Sequence, residues 1–173
     1  ICAPSTPFTR EDADKVVALA AEHHTQIELV FHKQCFLEKG HFAGSDAKRL
    51  EAFVSMANDP AFDAIWFVRG GYGACRIAGE AVRQLRAPAR NKTYMGYSDQ
   101  GNLLGALYKA GIGWPVHGPM PADIRRAGGE AAVRRALDWL ANGDAKALES
   151  HLVRGEKHAA FNVMTLAMMV CTP

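Results

Sequence analysis

What this chain has little of narrows it first. No apolar stretch in its 173 residues approaches the ~18 needed to cross a bilayer, and no signal peptide is visible. Lys and Arg number 20 against 18 Asp and Glu, a formal net charge of +2. With no basic or acidic block, the chain lacks the electrostatic footprint of a nucleic-acid or membrane-surface binder. Four cysteines, Cys2, Cys35, Cys75 and Cys171, are widely scattered with no CxxC pair. That distribution fits buried thiols in a reducing compartment better than a disulfide frame or a zinc site. The seven histidines show no metal-ligand spacing with carboxylates, so neither a metal nor a cofactor is expected. Internal repeats and low-complexity segments are missing too. The chain opens Ile1-Cys2-Ala3-Pro4 without a methionine and reads as the end of a strand, so an earlier start is expected.

What is present is an ordinary globular pattern, 49% apolar and long enough for one sizeable core. Strand-like and helix-like segments alternate. Ile1–Ala3 reads as the end of a first strand. Thr9, with Asp12 three residues on, marks a capping-box-like helix start. Ile27–Phe31 reads as a second strand. Ser45 or Asp46 caps a helix whose Leu50, Phe53, Val54 and Ala57 fall on one face, and Asn58-Asp59-Pro60 ends it. Ala64–Val68 is continuously apolar, as expected of a strand covered on both sides. A helix over about 77–85, a strand Thr93–Tyr97, a helix after Ser98 ending at Gly111, and a short strand Trp114–His117 follow. The spacing then predicts a helix from Gly129 to Leu140 with Asn142-Gly143 as its stop, and another over 161–170.

Short turns between such segments predict an α/β fold: a flavodoxin-like, open, mostly parallel sheet with helices on both faces. Residues 1–143 form the α/β domain. Residues 144–173 read as a polar linker and a first helix leading toward a second domain.

The chemistry concentrates where two strands end. Gly96-Tyr97-Ser98-Asp99 places a serine on a strand-to-helix turn, the position from which α/β enzymes present a nucleophile. The stricter G-x-S-x-G pattern is not met, because position 100 is Gln; a serine here can also be a simple helix cap. Arg69-Gly70-Gly71-Tyr72-Gly73 ends the preceding strand. In open α/β sheets both turns lie beyond the carboxyl ends of the strands, where sites form. Acyl transfer needs two donors at the developing oxyanion. The backbone N–H of Asp99 is one candidate, and one from Gly70-Gly71-Tyr72, with Gly71 preferred, the other. Arg69 and Tyr72 on the glycine turn are candidate substrate-binding side chains, Arg69 either taking a carboxylate or bracing the loop against Asp99 or another acid. Asp99 is also placed to cap the helix it opens. A dinucleotide or phosphate loop is a poor match, since Arg76 stands where a third glycine belongs and no Lys-Ser/Thr follows. His117, beside Gly118-Pro119, is a candidate base with a structural alternative.

Four stretches together resemble the LD-carboxypeptidase family of serine peptidases: Ala3-Pro4-Ser5, Phe42 to Leu50, Ile65 to Gly73, and Gly96 to Asp99. His117-Gly118-Pro119-Met120 and the closing segment Asn162 to Pro173 extend the resemblance over nearly the whole chain. It implies a Ser-Glu-His triad with Ser98 as nucleophile, an oxyanion hole at Asp99 and the glycine turn, and no catalytic role for His117. It implies hydrolysis of an amide between an L-centre and a terminal D-residue. In the murein branch this is release of D-alanine from a cytoplasmic tetrapeptide during peptidoglycan recycling, by a homodimer. The same resemblance puts the triad glutamate and histidine in a C-terminal domain beyond Pro173, so these 173 residues alone are expected to be nearly inactive. A microcin-type immunity amidase is the variant within the class. A non-catalytic ligand-binding domain, with Ser98 only a cap, is the alternative outside it.

Overall fold

The computed structural model describes residues 1–153 and 155–170; the Cys171 thiol and the end of the closing segment lie outside the described residues. Three parallel strands, β1 (Ala64–Trp66), β2 (Thr93–Gly96) and β3 (Trp114–His117), form the sheet in the order β1-β2-β3. Thr93 pairs with Ala64 on one side and Trp114 on the other. Among the described residues six α-helices surround them: α1 (Arg10–His23), α2 (Asp46–Asn58), α3 (Ala74–Gln84), α4 (Gly101–Ala110), α5 (Gly129–Asn142) and α6 (Val163–Val170). The molecule is α/β with an open parallel sheet, as the alternation required.

Alternate strand residues serve two cores, because successive side chains point to opposite faces. Ile65 and Phe67 pack with Phe53 of α2, Ala78 of α3 and Leu103 and Leu107 of α4. Trp66, Val68 and Met95 pack on the other face with Val16 of α1 and Val133 and Leu137 of α5. Helices therefore cover both faces, which is why β1 is apolar throughout.

The edge beyond β1 is thinner than the sequence implied. Cys2 makes a single parallel bridge to Phe67, and Val68 N–H donates to the Cys2 carbonyl at 2.9 Å. Residues 27–31 run extended beside Ile1 without forming a strand. The Ile1 amino group donates to the Val30 carbonyl at 2.6 Å and His32 N–H to the Ile1 carbonyl at 2.9 Å.

Helix ends follow local chemistry with one exception. Thr9 accepts from Asp12 N–H at 3.2 Å and Ser45 from Lys48 N–H at 3.3 Å. Gly111 and Gly143 close α4 and α5 in the left-handed conformation, φ 64° and 62°. The exception is α3, which starts at Ala74 rather than near Ile77 because a carboxylate from a distant segment caps it. Residues 98–100 form a 3-10 turn ahead of α4. The described residues between α5 and α6 are irregular apart from a 3-10 turn at Ala145–Ala147.

Candidate active site

Ser98 has φ 59°, the one positive φ outside glycine among the described residues. For an L-residue this conformation costs about 1–2 kcal/mol, and strain of that kind marks a nucleophile elbow. The sequence leading into it makes the turn possible. A Cβ on Gly96 would lie 3.0 Å from the Phe67 ring and 3.1 Å from Gln100 Cβ, so only glycine lets β2 pass this close to both. Behind the turn, Thr165 of α6 donates its hydroxyl to the Ser98 carbonyl at 3.2 Å. The Ser98 hydroxyl itself is half-buried and hydrogen-bonds to nothing among the described residues.

The glycine turn lies directly against it. A Cβ on Gly70 would sit 3.0 Å from Ser98 Oγ and 3.6 Å from the Asp99 nitrogen. Gly71 and Gly73 need glycine for a second reason, their φ of 111° and 142°. Among the described residues the N–H groups of Gly70, Gly71 and Asp99 donate to no protein acceptor. Gly70 and Gly71 line one cavity with Ser98, and Asp99 directly follows it, so the three free donors lie on the two turns that meet at Ser98. The sequence offered Gly70 only as one of three possible donors on this turn; its need for hydrogen comes from Ser98, 28 positions on, and from no turn rule.

Two buried polar groups tie the segments together. Asp99 accepts from the Ser5 hydroxyl, from Ala74 N–H at 2.9 Å and from Asn102 Nδ2 at 3.2 Å. Its carboxylate therefore caps α3 across the site and not the helix it precedes; a carboxylate at a helix N-terminus is favoured by the free N–H groups there. Burial first, and the Asp99 charge second, push the neighbouring Cys75 thiol up. It stays protonated at neutral pH and is a poor rival nucleophile. From α2, fully buried Arg49 donates to the carbonyls of Pro4 and, at 2.8 Å, of Gly73, pairs with Asp46 and lies under the Phe42 ring. This explains a sequence stretch, Phe42 to Leu50, whose role the spacing alone did not reveal.

Ser98 opens into a cavity of about 280 Å³ that Arg69, Gly70, Gly71, Tyr97, Asp123, Arg125 and Arg126 help to line. Its arginines differ. Arg125 pairs with Asp12 at 2.5 Å and Arg126 with Asp123 at 3.2 Å. Arg69 is exposed and has no acidic partner among the described residues, so the bracing role against Asp99 is not what it does. An unpaired guanidinium beside the nucleophile suits a substrate carboxylate. Tyr72 stands apart from this cavity, with its ring 6.2 Å from those of His41 and Phe42.

His117 packs edge-on to Tyr97 at 5.9 Å, and partial burial lowers its pKa from the ordinary value. It lines an adjoining cavity of about 420 Å³ and makes no hydrogen bond to Ser98. The larger cavity is mostly apolar and has no serine or cysteine in its lining, whereas the smaller one contains Ser98. Asp123 faces both, but its carboxylate is occupied by Tyr97 Oη, Met120 N–H and Arg126. No base for Ser98 lies among the described residues.

Comparison with known proteins identifies the family. Residues 1–118 match the family model for the LD-carboxypeptidase N-terminal domain. A protein named "Putative carboxypeptidase" from Streptomyces coelicolor is 36% identical over 49% of this chain and 27% of its own length. One of the same name from Rickettsia conorii is 31% identical over 57% and 31%. The crystal structure of muramoyltetrapeptide carboxypeptidase from Oxalobacter formigenes superposes with a TM-score of 0.63 at 22% identity, over 79% of this chain and 46% of that one. The matched stretches span less than a third of either curated relative and under half of the solved chain. With the family model covering well over half of its residues, this chain belongs to the LD-carboxypeptidase family.

Proposed function

We propose that this chain carries the nucleophile and oxyanion half of a serine carboxypeptidase that hydrolyses an L,D-amide bond, releasing D-alanine from murein tetrapeptide in cytoplasmic peptidoglycan recycling. The observation that carries the reading is the left-handed Ser98, which lines one cavity with Gly70 and Gly71 and precedes Asp99, residues whose N–H groups are unclaimed among the described residues. Ser98 Oγ attacks the scissile carbonyl and loses its proton to a base. The oxygen that becomes negative lies among the three donors, the interaction that strengthens most in the transition state. The amine of D-alanine leaves with a proton, and water then releases the acyl group from Ser98. Arg69 holds the terminal carboxylate, which makes the enzyme a carboxypeptidase rather than an endopeptidase.

Serine is a weak nucleophile without a partner base, so the reading requires one from residues other than those described. Family membership and the printed function of the Oxalobacter formigenes protein support the substrate class. The test is D-alanine release from murein tetrapeptide by the full-length natural protein. Ser98→Ala is expected to lower kcat by roughly 10⁴-fold or more with the fold intact by circular dichroism. Unchanged release in that variant refutes the nucleophile.

A further inference from the structure

Two of the three peptide groups that carry the proposed oxyanion donors, those of Gly70 and Gly71, are each held from behind by a side chain of another segment. Thr6 Oγ1 donates to the Gly70 carbonyl at 2.6 Å. Gln100 Nε2 donates to the Arg69 carbonyl at 2.7 Å and to Ser5 Oγ at 2.9 Å. In a planar trans peptide the C=O of one residue and the N–H of the next point in opposite directions. Holding the Gly70 carbonyl therefore sets the direction of the Gly71 N–H, and holding the Arg69 carbonyl sets that of the Gly70 N–H.

The turn needs such holding, since consecutive glycines have little conformational preference of their own. Thr6 restrains it twice, because its Cγ2 also occupies the space where a Cβ on Gly71 would go. The Gln100 amide has one usable orientation. Turned over, its oxygen would face the Arg69 carbonyl and a Ser5 hydroxyl whose hydrogen is already given to Asp99. As it stands, the buried Oε1 has no partner among the described residues. A buried amide that leaves its acceptor idle is retained for its donors.

We propose that Thr6 and Gln100 are positioning residues that aim the Gly71 and Gly70 N–H groups at the carbonyl oxygen attacked by Ser98. This rests on the acyl-transfer reading above. A positioning role acts on the transition state and hardly on ground-state binding, which separates it from a role in substrate affinity.

The test uses the full-length natural protein and D-alanine release from murein tetrapeptide. Thr6→Val, nearly the same shape without the hydroxyl, is expected to lower kcat about 10-fold or more while KM changes less than about twofold. Thr6→Ser, which keeps the hydroxyl, is expected to recover most of that loss. Thr6→Ala adds no atoms and reads the same hydroxyl should valine disturb the turn. A kcat within about twofold of wild type in both Thr6→Val and Thr6→Ala, or a Thr6→Ser loss as deep as that of Thr6→Val, overturns the positioning role. Retained release in Ser98→Ala would instead overturn the acyl-transfer reading itself, so the two failures are distinguishable.

Discussion

At the scale of single residues, the site is built from positions where one atom too many would obstruct. Gly70 is outside the positive-φ set, so its backbone accepts alanine; the obstacle is Ser98, 3.0 Å from the added Cβ. Gly70→Ala is therefore expected to leave the melting temperature nearly unchanged while reducing kcat/KM about 10²-fold, the scale associated with misplacing reacting atoms by an ångström. Steady-state kinetics beside a thermal melt checks this, and a melt that collapses in parallel would show a merely structural glycine. As local patterns, with site roles that are proposals, the strand-to-helix turn of Ser98 and Asp99 and the glycine turn of Arg69 and Gly71 were legible in the sequence. Thr6, Gln100 and Arg49 were not. Their partners lie 64, 31 and 45 positions away, and no spacing rule connects a hydroxyl to a carbonyl across that distance.

At the scale of elements, helices were legible where their caps are local and misjudged where they are not. Thr9, Ser45, Gly111 and Gly143 announced the ends of α1, α2, α4 and α5. The start of α3 did not, because its cap is Asp99, 25 residues later. The segment over 27–31 has the composition of a strand but forms none among the described residues, where it is tied to Ile1 by two hydrogen bonds. Elements also carry their own electrostatic ties. Asp12 of α1 is bound by Thr9 and by Arg125 from the wall of the cavity. Burial alone would raise its pKa, yet these partners together hold it below the usual carboxylate range. A depressed carboxylate contributes stability that is present above its unfolded pKa, near 4, and lost as pH falls through the folded value. Asp12→Asn is accordingly expected to lower the melting temperature clearly at neutral pH and by less at an acid pH below about 4, where the stabilisation from the carboxylate is being lost. Calorimetry at the two pH values reads the difference. A deficit independent of pH would mean that Asp12 acts through packing.

At the scale of the whole molecule, the fold brings three distant segments, Ala3–Thr6, Arg69–Gly73 and Ser98–Gln100, to the carboxyl end of one parallel sheet. Strand and helix alternation made that convergence legible; the buried bonds of Asp99, Arg49 and Gln100 that lock it were beyond any sequence pattern. Gly101 and Gly105 of α4 leave room for Thr165 and Met169 of α6, which brings Thr165 behind the nucleophile. Everything in this arrangement leads to one hydroxyl. The most direct measurement is reaction of the full-length natural protein with a fluorophosphonate probe, followed by mass-spectrometric mapping of the adduct. Labelling at Ser98, slowed by competing murein tetrapeptide and lost in Ser98→Ala, is the predicted result. A protein that releases D-alanine while Ser98 stays unlabelled would contradict the assignment.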